Sequence, residues 1–156
     1  MAGFAVTALT ERLRALAHWL TLTLPYCCDR PAQFFHGAQG ATVQDVSVRL
    51  GQDAFAGFGG AGGAGGSHVN VEVSGGRFGM YINESEPAPV VAAARFVGQS
   101  ESAITFSDGA QPPLVLVGVE VEQPAGATGP ALRSVSRENP SQTLIRLSGL
   151  ESVCLD

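Results

Sequence analysis

The sequence predicts a mainly β protein: an antiparallel β-sandwich of the jelly-roll kind, with about eight short strands and one N-terminal amphipathic α-helix. Three observations predict this class. Apolar residues recur with period two from residue 42 onward, Gly, Pro, Ser and Asp clusters separate these runs, and only residues 5–24 have a helical period. Since parallel strands need a long crossover, usually a helix, the absence of helical segments between the runs excludes a parallel sheet and predicts antiparallel pairing.

The helix is predicted within residues 1–25 and ends at Pro25. Because residues 21–24 also alternate like a strand, a helix end near Trp19 is an alternative. The apolar face is expected to pack on the sheet, to dock into a partner's groove or to lie on a membrane. The membrane is the least favoured of the three, because the polar face carries little positive charge. The apolar positions are Val6, Leu9, Leu13, Leu16, Leu20 and Leu24.

Residues 26–41 are predicted as a loop or linker, and residues 42–156 as the β-sandwich domain. Ser74-Gly75-Gly76 predicts a tight hairpin turn between two strands. In the run 114–122, one face is predicted to carry only valines, namely Val115, Val117, Val119 and Val121, with Glu120 and Glu122 opposite. Strands are predicted near 46–50, 69–73, 78–82, 90–97, 104–106 and 114–122, with weaker ones at Val135, 144–147 and 153–155.

Residues 56–67 are predicted as a glycine-rich loop, since seven of the ten residues from Gly57 to Gly66 are glycine. Matches to G-x-G-x-x-G in this run carry no weight, because a strand follows where phosphate binding needs a helix N-terminus. Two interpretations stay open: an ordinary long hairpin loop, or a tightly packed contact between subunits. The contact is favoured, with Phe55 and Phe58 as aromatic anchors at its start.

The charge composition excludes some partners. A net charge of −5 and a pI near 5.1 argue against nucleic-acid binding, which depends on clustered cations. Charged residues make up only 15% of the chain, so some apolar surface is expected to be covered by a partner. All nine cationic residues are arginine, from codon bias or from selection against lysine modification, and lysine chemistry is therefore excluded.

The cysteines and the hydropathy pattern predict a compartment. Cys27, Cys28 and Cys154 cannot form a disulfide framework, which favours a reducing environment. No apolar run reaches the roughly 18 residues that span a bilayer, and no small-residue cleavage site follows the apolar stretch 15–24. We therefore predict an intracellular or virion protein that is not secreted.

No catalytic, cofactor or metal site is predicted. The histidines, His18, His36 and His68, lack the spacing of metal ligands. Ser107-Asp108-Gly109 is typical of a turn rather than of a nucleophile, and G-x-S-x-G is absent. The paired carboxylates Glu120 and Glu122 are typical of a solvated strand face.

The resulting hypothesis is a non-enzymatic structural subunit that self-associates or joins a larger complex, such as a viral or phage particle. Its partners are expected to be proteins, either further copies of the chain or a multi-protein complex, with no nucleic acid and no cofactor. The alternatives are a ligand-binding β module, for example for carbohydrate, and a small enzyme with an interface active site. The predicted partner-docking residues are Leu9, Leu13, Leu16, Trp19, Leu20, Phe55 and Phe58.

Overall fold

The computed structural model of the protein describes residues 20–24, 31–34, 39–61, 64–82, 89–107, 114–135 and 145–148. Within these residues the regular structure is thirteen strands and no helix. Sheet A contains eight of them: β1 (Leu20–Leu24), β3 (Thr42–Leu50), β5 (Ser67–Ser74), β7 (Val90–Ala92), β8 (Arg95–Val97), β10 (Leu114–Val117), β11 (Glu120–Glu122) and β13 (Ile145–Ser148). Sheet B contains the other five: β2 (Pro31–Phe34), β4 (Ala56–Gly59), β6 (Phe78–Ile82), β9 (Ser102–Ser107) and β12 (Leu132–Val135).

The strands form a β-solenoid of about three turns, in which the chain alternates between the two sheets. Every pairing among the described strands is parallel. Thr42 lies beside Ser67, 25 residues further on. The predicted antiparallel sandwich or jelly roll is therefore wrong. The crossover that a parallel pair needs is supplied here by a strand of the opposite sheet, so no helix is required.

The N-terminal helix is also corrected where the structure describes it. Residues 20–24 form β1, which pairs with β3 from Leu20 beside Val46 to Leu24 beside Leu50. The alternating Leu and Thr residues of this segment suit a strand, as the alternative helix end near Trp19 allowed. Residues 1–19, which carry the rest of the predicted helix, lie outside the described residues.

The predicted hairpin at Ser74-Gly75-Gly76 is a corner between the sheets instead. Gly75 and Gly76 have φ values of 77° and 75°, and they lead β5 of sheet A into β6 of sheet B. The backbone N–H of Gly75 donates to the carbonyl of Val97 in the next turn. Glycine at positive φ suits both a hairpin and a corner, so the local sequence did not distinguish them.

A buried glutamine supports the same corner from the next turn. Gln99 is fully buried, and its side-chain amide donates to the carbonyls of Val73, Gly75 and Val97 at 3.0–3.2 Å. Carbonyl groups at a buried bend need hydrogen-bond donors of this kind, because a buried carbonyl without a donor lowers the stability of the fold.

The core lies between the sheets and is built from columns of equivalent residues in successive turns. Val48, Val73 and Phe96 form one column of sheet A and are fully buried. The matching column of sheet B is Phe58, Met80, Ile104 and Leu132. Burying each large apolar side chain contributes about 1.5–3 kcal/mol, which makes these columns the main source of stability.

Part of the glycine-rich run is a core strand. β4 covers residues 56–59, inside the range predicted as a loop, and both of its glycines are buried. A Cβ at Gly57 would lie 2.6 Å from Val73 Cγ1 of sheet A, so the two sheets approach too closely there for a side chain. This position is thus a tight contact within one chain. The favoured interpretation of the whole run, a contact between subunits, stays a prediction.

Candidate functional site

The outward surface of sheet A changes from polar to apolar along the stack. Neighbouring outward positions are Thr42, Ser67, Val90 and Val115 in one column and Gln44, Val69, Ala92 and Val117 in the next. We call Val69, Val90, Ala92, Val115 and Val117 the apolar strip. These side chains are partly or well exposed, while the residues that alternate with them along the strands are buried, namely His68, Val91, Leu114 and Leu116.

Left-handed residues place this strip outside. Ala93 and Gly118 have φ values of 50° and 57° and separate β7 from β8 and β10 from β11. At each of them, two residues instead of one separate successive inward positions. The alternation of inward and outward side chains therefore shifts by one residue. Val115 and Val117 therefore face outward, while Val119 is buried and Val121 packs against the core. The predicted single valine face is wrong for this reason. Val117, 43% exposed, is the large apolar side chain most open to solvent among the described residues.

Beside the strip, one arginine lies among three carboxylates. Glu72, Arg95 and Glu120 are register neighbours in β5, β8 and β11, and Glu122 follows two residues after Glu120. Arg95 Nη2 lies 3.3 Å from Glu122, Nε 3.7 Å from Glu120 and Nη1 3.9 Å from Glu72. Exposed pairs of this kind contribute little stability each. Because three acids share one base, this column carries net negative charge.

A second candidate surface is an aromatic–arginine cluster of Phe55, Arg77, Phe78, Tyr81 and Glu101. The three rings contact one another with centroid distances of 5.0–5.3 Å. The Arg77 guanidinium lies 5.5 Å from the Phe55 ring centroid and its Nε donates to Glu101 Oε1 at 2.5 Å. Phe55 and Tyr81 are half-buried and the Arg77 side chain is 40% exposed, so a partner can reach these two rings and the guanidinium, while Phe78 is buried.

The predicted docking residues are spread over different environments. Phe58 is fully buried, with its ring centroid 5.2 Å from that of His68, so it belongs to the core. Phe55 lies in the half-buried cluster, and Leu20 lies in β1 beside Val46. Leu9, Leu13, Leu16 and Trp19 are outside the described residues.

Sequence reasoning missed Arg77, Arg95 and Tyr81. A signal for Arg95 was available, since Glu72, Arg95 and Glu120 recur at about the period of the solenoid. This recurrence is informative only when the spacing of about 25 residues is known to be one turn of a solenoid.

The other polar residues considered as candidates, His68 and Ser107, are buried in the fold rather than gathered in a site. Burial lowers the pKa of His68 from its ordinary value of 6.5 to about 4, so the imidazole is neutral at pH 7. The Ser107 hydroxyl donates to the Ile82 carbonyl at 3.4 Å, and Asp108 lies outside the described residues. In the part of the chain that the structure covers, no three His, Cys, Asp or Glu residues come together as a metal site would need. The same part contains no helix with the length and hydropathy to cross a membrane.

Comparison with known proteins gives no match to a protein-family model, a curated protein or a solved structure.

Proposed function

We propose that the chain is a non-enzymatic structural subunit that assembles with other proteins through the outward surface of sheet A. The observation that carries the proposal is the apolar strip, with Val117 43% exposed at its edge. Parallel pairing holds the strip in a fixed array, because each side chain lies one strand spacing from its neighbour. A contiguous apolar patch with a polar border is typical of a protein-binding surface.

The charged column beside the strip supports the same proposal. Arg95 and its three carboxylates border the strip on one side. Border charges of this type mainly select the partner and its register. A rigid subunit with such a surface suits a multi-protein complex, of which a viral or phage particle is one example.

The test is sedimentation velocity of the full chain under reducing conditions, over micromolar and higher concentrations. We expect the wild type to form a complex larger than a monomer, and Val117→Asp to sediment as a folded monomer, because a carboxylate on the strip opposes its burial. Gln52→Asp, which adds the same charge in an exposed turn, is the matched control and should behave like the wild type. A wild-type chain that stays monomeric throughout contradicts the proposal.

The aromatic–arginine cluster favours a second candidate function, the binding of carbohydrate. Half-buried Phe55 and Tyr81 offer ring faces, and Arg77 and Glu101 offer donors and acceptors beside them. On a glycan array, we expect a reproducible hit that Tyr81→Ala removes and Val117→Asp retains. An array without any hit removes this candidate and leaves the assembly proposal untouched.

A further inference from the structure

We propose that the partner on the outward surface of sheet A is a second copy of this chain, related by a twofold axis that runs parallel to the strands. The axis lies in the interface plane, in front of the outward surface, above the gap between the β7–β8 row and the β10–β11 row. This inference depends on the proposed assembly function and specifies its partner and geometry.

The strand register is what makes the surface complementary to itself. Val90 lies beside Val115, Ala92 beside Val117, and Arg95 beside Glu120. A twofold rotation about an axis between the two rows keeps each position along the strand and exchanges the rows. Each of these residues then faces its own register neighbour on the second copy, as an isologous interface requires.

The rotation covers four of the five residues of the apolar strip with apolar residues, and the fifth, Val69, lies opposite the position of Ser148. Val90 faces Val115 of the second copy, and Ala92 faces Val117 of the second copy. Val117 thereby leaves water on both copies, and removal of apolar area from water is the main driving force of association.

The same rotation pairs opposite charges at one position of the charged column. Arg95 faces Glu120 of the second copy, and Glu120 faces Arg95 of the second copy. Each Arg95, which lies 3.3–3.9 Å from three carboxylates of its own chain, thereby gains a further carboxylate on the second copy. The two columns together still hold six carboxylates and two guanidinium groups, so these pairs fix the register of the dimer rather than neutralise the surface. Glu122 is the exception, because Val97 would face it. Its side chain is 71% exposed at the end of β11, where it can stay in water at the rim.

The surface has the size of a weak dimer. Residues 90–97 extend about 26 Å at about 3.3 Å per residue, and the three rows of β5, β7–β8 and β10–β11 span about 14 Å at about 4.8 Å each, to which β13 adds four residues beside β10. The area is about 430 Å² per copy, or about 860 Å² in total, below the roughly 1,000 Å² of a stable interface. We therefore expect a reversible dimer rather than an obligate one.

Charge reversal in two separate chains tests this geometry. Arg95→Glu alone places like charges opposite each other in the dimer, and so does Glu120→Arg alone. Each variant should dimerise with a dissociation constant raised by about tenfold or more. Mixed in equal amounts they should form a heterodimer of near wild-type affinity, because both opposed pairs are again of opposite charge. Arg133→Glu and Asp53→Arg, exposed positions elsewhere, are the matched controls.

The outcomes separate this inference from the proposed function. A mixture that stays as weakly associated as its components overturns the twofold geometry, and so does an Arg95→Glu chain that dimerises like the wild type. In both cases an assembly that Val117→Asp still abolishes leaves the proposed function standing. A wild-type chain that is monomeric overturns both.

A second measurement covers the case in which a reversed chain fails to fold. The protein has no lysine, so Arg95→Lys introduces a single side-chain amine and keeps the charge. Carbodiimide should then join that amine to Glu120 of the second copy and give a covalent dimer on a denaturing gel. The Arg95→Lys/Glu120→Gln chain should give no dimer above the wild-type background. A dimer band of equal strength in both chains overturns the inference.

Discussion

At Asp45, Asn70, Ala93 and Gly118 the backbone has φ values between 50° and 57°, one such residue in each of four successive rows of sheet A. L-residues adopt this left-handed conformation at a steric cost that is smallest for Asn and Asp, and glycine, which has no Cβ, avoids the cost. Asn70 also donates its side-chain amide to Asp45 Oδ1 at 2.7 Å, which links two of these positions. Three of the four residues that shift the alternation of the strands are thus of types that tolerate the left-handed conformation.

Gly118→Ala is expected to lower the free energy of unfolding by about 1–2 kcal/mol, because alanine is strained at a φ of 57°. Gly126→Ala is the control: its Cβ, like that at Gly118, would meet nothing within 4 Å, and no positive φ occurs there. Urea unfolding at neutral pH measures both. Equal effects of the two substitutions would show that the left-handed conformation is not the cause.

His68 makes stability depend on pH. Its pKa is lowered from 6.5 to about 4 in the folded chain, because burial opposes the charged form. The unfolded chain therefore binds the proton more readily, and stability from this residue is fully present above pH 6.5 and is lost as pH falls toward 4. The loss amounts to about 3 kcal/mol.

The variant that checks this is His68→Val, since Val43 and Val91 occupy the equivalent positions in the neighbouring strands. The free energy of unfolding of the wild type minus that of the variant should fall by about 3 kcal/mol between pH 7.5 and pH 4. The other ionisable groups are common to both proteins, so their contributions cancel in the difference. Parallel pH profiles for the two proteins would contradict the assignment.

At the scale of the strands, the spacing between β4 and β5 depends on Gly57. A side chain there would meet Val73 Cγ1 at 2.6 Å and the Gly79 carbonyl at 2.9 Å. The sheets cannot separate locally without opening the Val48, Val73 and Phe96 column, which is fully buried.

Gly57→Ala is therefore expected to cost about 1–3 kcal/mol of stability by overpacking. Val73→Ala alone should cost about 2 kcal/mol or more through the cavity that it leaves. The double variant should lose clearly less than the sum, because the smaller residue at position 73 makes room for the new methyl group. Denaturant unfolding of all four chains gives the coupling energy, and strictly additive losses would contradict a direct contact between the two positions.

At the scale of the whole molecule, parallel stacking makes a prediction that an antiparallel sandwich does not. Thr42 and Ser67 are register neighbours with hydroxyl oxygens 2.9 Å apart. Thr42→Cys/Ser67→Cys should therefore form a disulfide on mild oxidation, because adjacent strands place the Cα atoms within the range for such a bond. Mass spectrometry of the digested protein detects the linked peptides. Thr42→Cys/Ser74→Cys, out of register, should not give that link.

Much of the secondary structure was predictable from local sequence. The strands at Phe78–Ile82 and Ser102–Ser107 agree closely with runs of alternating apolar residues, and the break before Leu114 agrees with a proline pair. β4 was missed because Ala56–Gly59 is rich in glycine, which is weakly strand-forming in general but suits close packing of two sheets.

The candidate surfaces were less predictable. Phe55 was identified from its place at the head of the glycine run, yet its neighbours Arg77 and Tyr81 come from the next turn. Val117 and Val119 lie on opposite faces because Gly118 between them has a positive φ, which period-two reasoning cannot show.

The sequence by itself determined that the described residues from 42 onward are mostly strand, because alternation of apolar and polar side chains follows from the pleat of a single strand. Only the tertiary structure decided that the strands run parallel in a solenoid and that the apolar strip faces outward. Strand direction depends on which segments pair about 25 residues apart and on whether a glycine corner folds back or crosses to the other sheet. Those choices are made by packing between distant residues, so they leave no mark on the local period.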